Sequence, residues 1–190
     1  MPFDLSLFNL THGAAGKSGL LDFFGVFFAN NLPYILIIAV IVFLFKKRSM
    51  KERTSLFVFF SLTVLLSRGF FTEVIRFFYT HPRPFDVLGF TPLIPESGNS
   101  FPSGHAAFFF ALAAAIWYCN RKWGWWFLGL ALLNGVARIF VGVHWPSDIL
   151  GGIVVGFVSL WIVLKLIKEY LPSGIFDRVE NEATEDTIGE

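Results

Sequence analysis

The chain has 190 residues, 55% of them hydrophobic and only 15% charged, with a mean hydropathy of +0.63 and a formal net charge of +1. A soluble domain of this size needs far more polar surface, so an integral membrane protein is the expected class. Near-neutral charge, with no basic run interleaved with aromatics, excludes a nucleic-acid partner, and the single cysteine, Cys119, excludes an intrachain disulfide.

Residues 1–19 lack the positive start and apolar core of a cleavable signal, so none is expected. Residues 20–30 are rich in phenylalanine, with Asp22 near their start. At about 1.5 Å per residue they fall short of roughly 30 Å of hydrocarbon, so they either lie in the interface or run on into the next segment. Residues 32–45 form the first clear span, ending at Lys46-Lys47-Arg48, and residues 54–79 the second. The loop that follows carries Pro82, Pro84, Pro92, Pro95 and Pro102 and cannot be helical throughout. Residues 104–120, 123–143 and 146–166 supply three more spans, and residues 171–190 read as an acidic, solvated cytoplasmic tail. The expectation is an all-α polytopic membrane helix bundle in a single domain over 1–190. It has about five transmembrane helices and an N-terminal interfacial helix within residues 1–30.

Orientation follows from the basic loops. Lys46, Lys47, Arg48, Lys51 and Arg53 separate spans one and two, Arg121 and Lys122 separate three and four, and Lys165 and Lys168 end span five. With five crossings all three clusters share one side, and positive loops face the cytoplasm. The loops carrying the remaining polar residues then face outward together. Gly152 and Gly156, four apart in span five, predict close helix packing.

Those outward polar residues form three islands. Pro146 suits the first turn of a helix, which places His144 just before span five and Asp148 within its opening turn. Four positions apart, the carboxylate can accept from one imidazole nitrogen and leave the other free as a base or nucleophile. By itself Asp148 reads first as a helix-capping acid, and it is His105 that shifts the balance. His105 follows Pro102-Ser103-Gly104 at the mouth of span three, where backbone N–H groups suit an anion. Two imidazoles at one face permit one to attack phosphorus while the other protonates the leaving oxygen. Arg76, Arg83 and Arg138 add guanidinium forks that match phosphate oxygens bidentately. Ionisable groups this close to hydrocarbon argue for function. Glu73 can pair with Arg76 three residues on, and Arg68 has no assigned role. Gly16-Lys17-Ser18 lacks the earlier glycine of a nucleotide loop and is set aside.

In order and spacing these islands resemble the three signature motifs of the type-2 phosphatidic acid phosphatase superfamily. Arg76 stands where the first motif has lysine, with six residues between it and Arg83-Pro84. Pro102-Ser103-Gly104-His105 is the intact second motif. The third keeps Arg138, His144 and Asp148, with Ala137 in place of serine. The resemblance implies that His144 is the nucleophile forming a phosphohistidine, Asp148 its orienter and His105 the general acid. Arg76, Arg83, Ser103, Gly104 and Arg138 would bind the phosphoryl group. It implies no metal and no cofactor, and a lipid phosphate or diphosphate in the bilayer as substrate. Size, the phenylalanine-rich start and the outward site are similar to bacterial undecaprenyl-diphosphate phosphatases of the bacitracin-resistance branch. The expected activity is removal of the terminal phosphate of undecaprenyl diphosphate, with phosphatidylglycerol phosphate, phosphatidic acid and diacylglycerol pyrophosphate as alternatives. A transporter or lipid-binding protein that uses the cations only for anion affinity is the rival class. Oligomeric state has no signature in the sequence.

Overall fold

The computed structural model describes residues 2–47 and 49–167; Arg48, Lys168 and the tail at 171–190 lie outside them. Among the described residues all regular structure is helical. Helix α1 is Pro2–His12, α2 Gly19–Asn30, α3 Leu32–Phe45 and α4 Met50–Val64. A π-helical stretch, Leu65–Phe71, carries α4 without a break into α5, Thr72–Phe78. The short α6, Pro84–Leu88, opens the proline-rich loop, and α7 Gly104–Cys119, α8 Arg121–Phe140 and α9 Pro146–Ile167 complete the bundle.

Local chemistry sets these boundaries. Asn120 caps α8 by accepting the Trp123 N–H at 2.9 Å, Ser103 caps α7 through the Ala106 N–H, and α9 starts on Pro146. Helix α7 is the hub. It packs on both α8 and α9 and, more lightly, on α4, and its run of buried alanines meets a core of Leu36, Leu56, Phe59, Phe60 and Ile116. Large apolar side chains such as Ile38, Phe57, Leu65, Val154 and Trp161 point outward, as a lipid-facing bundle requires.

Among the described residues two helices are long and apolar enough to cross a membrane: the continuous Met50–Phe78, 29 residues, and Pro146–Ile167, 22 residues. Helices α2 and α3, bent by 47° at Asn31, make a third if they form one span. Residues 20–30 meet α3 at that bend, and Pro33 in the first turn of α3 lets the chain turn there. The apolar α7, 16 residues, is about 24 Å long, and α8 carries Arg121 and Lys122 at one end and Arg138 near the other.

The two described basic turns meet at one end of the bundle, where Lys46 Nζ stands 5.0 Å from the Trp123 ring centroid. The polar islands collect at the other. There α1, which the sequence marked only as part of an interfacial segment over residues 1–30, docks beneath the α8–α9 connection: Phe8 packs on Trp145, and Asp4 accepts the Ser147 N–H at 2.9 Å.

Candidate active site

Residues far apart in the chain converge on one cavity of about 290 Å³, lined among others by Arg68, Arg76, Arg83, Glu96, Gly104, His105, Arg138 and His144. The turn after α8 delivers His144. Gly142 takes φ 88° there, and a Cβ at that position would stand 2.7 Å from the Phe90 ring. The chain thus reverses within five residues and sets His144 against the first turn of α9.

His144 is buried, with Nδ1 3.3 Å from Asp148 Oδ2. Held on that side, the ring has Nε2 left for the cavity. Asp148 is itself fully enclosed. Its Oδ2 accepts the Trp145 N–H at 2.7 Å and the hydroxyl of Ser100, and Oδ1 lies 3.0 Å from His81 Nδ1. A carboxylate gripped by so many donors is fixed in place. His105 lies at the opening of α7, tilted over Phe109, and lines the same cavity.

The arginines divide by what already holds them. Arg83 has given four of its five N–H groups to the carbonyls of Gly98 at 2.9 Å, Val143 at 2.8 Å, Ser97 at 3.0 Å and Asn99 at 3.4 Å. It borders the cavity and also ties the loop before α7 to the turn carrying His144. Arg76 donates one N–H to the Pro102 carbonyl at 3.0 Å, and Arg138 is paired with Glu96. The Nε–H groups of Arg76 and Arg138 are buried without a partner among the described residues, a costly arrangement unless an anion enters to accept them. Ser103 lies fully buried under α7, its hydroxyl accepting the Ala106 N–H at 3.4 Å, and Gly104 lines the cavity.

Four residues here were not assigned from the sequence. Glu96 projects its carboxylate between Arg138 and Arg83, 3.9 Å from the latter. Burial works to raise its pKa, but the charges of Arg138 and Arg83 outweigh it and hold the carboxyl below its ordinary range. His81 and Ser100 complete the shell of Asp148. Arg68 borders the cavity beside Gly104. Glu96 and Ser100 sit in an irregular loop with no spacing to betray them. His81, within two residues of Arg83, carried the one usable signal.

Fold and site together define a helical membrane protein with a cationic pocket furnished with two imidazoles. The chain belongs to the PAP2 superfamily, whose family model matches residues 57–171. It is 32% identical over 155 residues to undecaprenyl-diphosphatase BcrC of Bacillus subtilis, covering 80% of this chain and 78% of that one. It is 29% identical over 160 residues to the Bacillus licheniformis protein named bacitracin transport permease protein BcrC, covering 81% and 77%. Among solved structures, Aquifex aeolicus LpxE superposes with a TM-score of 0.69 at 30% identity, covering 85% of this chain and 94% of that one. The BcrC relatives match the bacitracin-resistance branch to which size, the phenylalanine-rich start and the outward site pointed.

Proposed function

We propose that the protein removes the terminal phosphate of undecaprenyl diphosphate at the outer face of the membrane through a phosphohistidine on His144. As a PAP2 phosphatase it is a hydrolase of lipid phosphates; substrate, sidedness and residue roles are the proposal. The observation that carries it is the convergence of His144, His105, Arg76, Arg83 and Arg138 on one cavity with two buried Nε–H donors unpaired.

Terminal phosphate enters with its oxygens on Arg138, Arg76 and Arg83 and on the N–H groups of Gly104 and His105 at the start of α7. His105, at the opening of α7, serves in this reading as the general acid and enters the reaction as its imidazolium. His144 Nε2 attacks phosphorus while Asp148 holds Nδ1–H and stabilises the positive ring. As the P–N bond forms, the bond to the bridging oxygen breaks. His105 gives that oxygen its proton, and the lipid monophosphate leaves. Water then attacks the phosphohistidine, passing a proton back to His105, and inorganic phosphate departs.

The whole chain serves as one phosphatase domain. The five crossings of this reading are α2 with α3, α4 with α5, α7, α8 and α9, with the basic turns cytoplasmic. The transport reading, which the name of the Bacillus licheniformis relative favours, has no use for an imidazole oriented by a buried carboxylate. Purified protein in micelles should release phosphate from undecaprenyl diphosphate in EDTA. His144→Ala should lower the rate by several orders of magnitude, and labelled phosphate should be trapped on the wild-type protein at His144. Turnover surviving in the variant would remove the nucleophile, binding without phosphate release would favour transport, and faster turnover of phosphatidylglycerol phosphate or phosphatidic acid would replace the substrate.

A further inference from the structure

Arg68 belongs to none of the three islands, yet it borders the same cavity as Arg76, Arg138 and both histidines. Its position depends on the π-helical stretch. There the Thr72 N–H reaches back five residues to the Ser67 carbonyl, which also accepts the Thr72 hydroxyl at 2.9 Å. The Ser67 hydroxyl in turn donates to the Ala107 carbonyl at 2.9 Å. This clamps the widened turn to α7, one residue from Arg68. Such turns inside α-helices recur at functional sites because they redirect a side chain.

The guanidinium so aimed lies across Gly104. A Cβ there would stand 2.6 Å from Arg68 Nε and 3.1 Å from Cζ, so glycine is what admits it. Arg68 is ion-paired with Glu73, and Arg76 Nη1 stands 3.9 Å from the same carboxylate oxygen. Two cations share one acid, which leaves a net positive charge. The Arg68 side chain is 40% exposed, so donors remain for a ligand.

A second cavity, about 300 Å³ and almost wholly apolar, runs between α3, α4 and α7, lined by Val40, Leu44, Phe57, Phe60 and Val64. It shares Ile37 and Phe108 with the polar cavity, and Val64 lies one helical turn before Arg68. A lipid whose terminal phosphate sits at His144 and whose chain lies in this groove passes Arg68 on the way. In a diphosphate the group at that point is the second, ionised phosphate. In a monophosphate it is an uncharged ester.

We propose that Arg68 reads the diphosphate: it binds the phosphate nearer the lipid and so selects diphosphates over monophosphates. This rests on the lipid-diphosphate reading above. When the bridging bond breaks, negative charge develops on the leaving lipid monophosphate, and a guanidinium on that group stabilises the transition state as well as the bound substrate.

The test compares full-length wild-type protein with Arg68→Gln and Arg68→Lys in micelles, on undecaprenyl diphosphate and on phosphatidic acid. Inhibition by inorganic pyrophosphate and by orthophosphate is measured alongside. Arg68→Gln should lower kcat/KM for the diphosphate roughly 10- to 100-fold, the worth of a charge-assisted hydrogen bond. It should weaken pyrophosphate inhibition by a similar factor, with phosphatidic acid turnover and orthophosphate inhibition holding within about twofold. Arg68→Lys should recover part of the loss. Equal losses on both substrates and both inhibitors, or no loss on the diphosphate, would overturn the assignment. A wild-type enzyme that hydrolyses phosphatidic acid but neither hydrolyses the diphosphate nor binds pyrophosphate more tightly than orthophosphate would overturn the substrate reading and Arg68 with it. Diphosphate selectivity intact in wild type and unchanged in Arg68→Gln would overturn Arg68 alone.

Discussion

His144 has a lone pair to offer only while its ring is neutral, and its surroundings favour that state. Burial, with the positive charges of Arg138 and Arg83, lowers its pKa from 6.5 to about 4 against the opposing pull of Asp148. Above that value the imidazole is free and below it protonated. The acid limb of kcat/KM should therefore fall near pH 4 rather than near the ordinary histidine value of about 6.5. A pH–rate profile, corrected for the substrate's titration by phosphorus NMR, checks this; a limb near the ordinary value would contradict the buried, neutral nucleophile. Glu96 is the complementary case. Its carboxylate rests on Arg138 and near Arg83, where a phosphate dianion must also bind, so the pocket carries an internal competitor. Glu96→Gln removes that charge while keeping a similar shape. The inhibition constant of orthophosphate should drop roughly tenfold. Because the Glu96 carboxyl is held below its usual range, the gain should be constant from neutral pH down to about pH 5. Weaker phosphate binding in the variant would instead make Glu96 a support for the arginines.

At the scale of elements, the site depends on how closely α9 approaches α7, since one brings Asp148 and the other His105. Gly152 and Gly156 set that distance: a Cβ on the first would stand 2.8 Å from the Ala107 nitrogen, and on the second 2.7 Å from the Ala111 nitrogen. Both clashes are with backbone, which cannot swing aside. Gly156→Ala should therefore cost about 1–3 kcal/mol, as overpacking does, and lower both the Tm in detergent and the turnover. Gly129→Ala on α8, where nothing lies within 4 Å, should leave both unchanged or slightly raised. Equal behaviour of the two variants would mean that the α7–α9 contact is not tight. These two glycines were legible from their spacing alone, as were α7 and α9 and the span before the proline-rich loop. Helix α1 was not, because its role rests on single tertiary contacts, Phe8 on Trp145 and Asp4 on the Ser147 N–H, which leave no periodic trace. The bend at Asn31 was half legible: length alone left residues 20–30 either interfacial or continuous, and only packing against α8, where Asn134 donates to the carbonyls of Phe28 and Ala29, selects the angle.

Over the whole molecule, the parts of the site that could be read were those with fixed spacing to a proline, a glycine or each other: Arg76 with Arg83, Ser103 with His105, and Arg138 with His144 and Asp148. Glu96, Ser100 and Arg68 join them only through the course of a loop and a widened helical turn, which no pattern of residue types encodes. Sidedness rests on a sequence signal of the same kind, the basic residues of the turns. The two described basic turns lie together at one end of the bundle, and the cavity lies at the other. On the five-crossing reading the two ends face opposite sides of the bilayer. Cys119 is the sole cysteine and is buried, so introduced thiols report without interference. Val87, 56% exposed in α6, marks the site end, and Met50, 70% exposed at the start of α4, marks the basic end. With positive loops held in the cytoplasm, Val87→Cys should react with an impermeant maleimide added to intact cells. Met50→Cys should react only after permeabilisation. The reverse pattern would turn the site inward, and labelling of both from outside would mean that the two ends are not separated by a bilayer, which would undo the membrane-spanning arrangement of α4, α7 and α9 together.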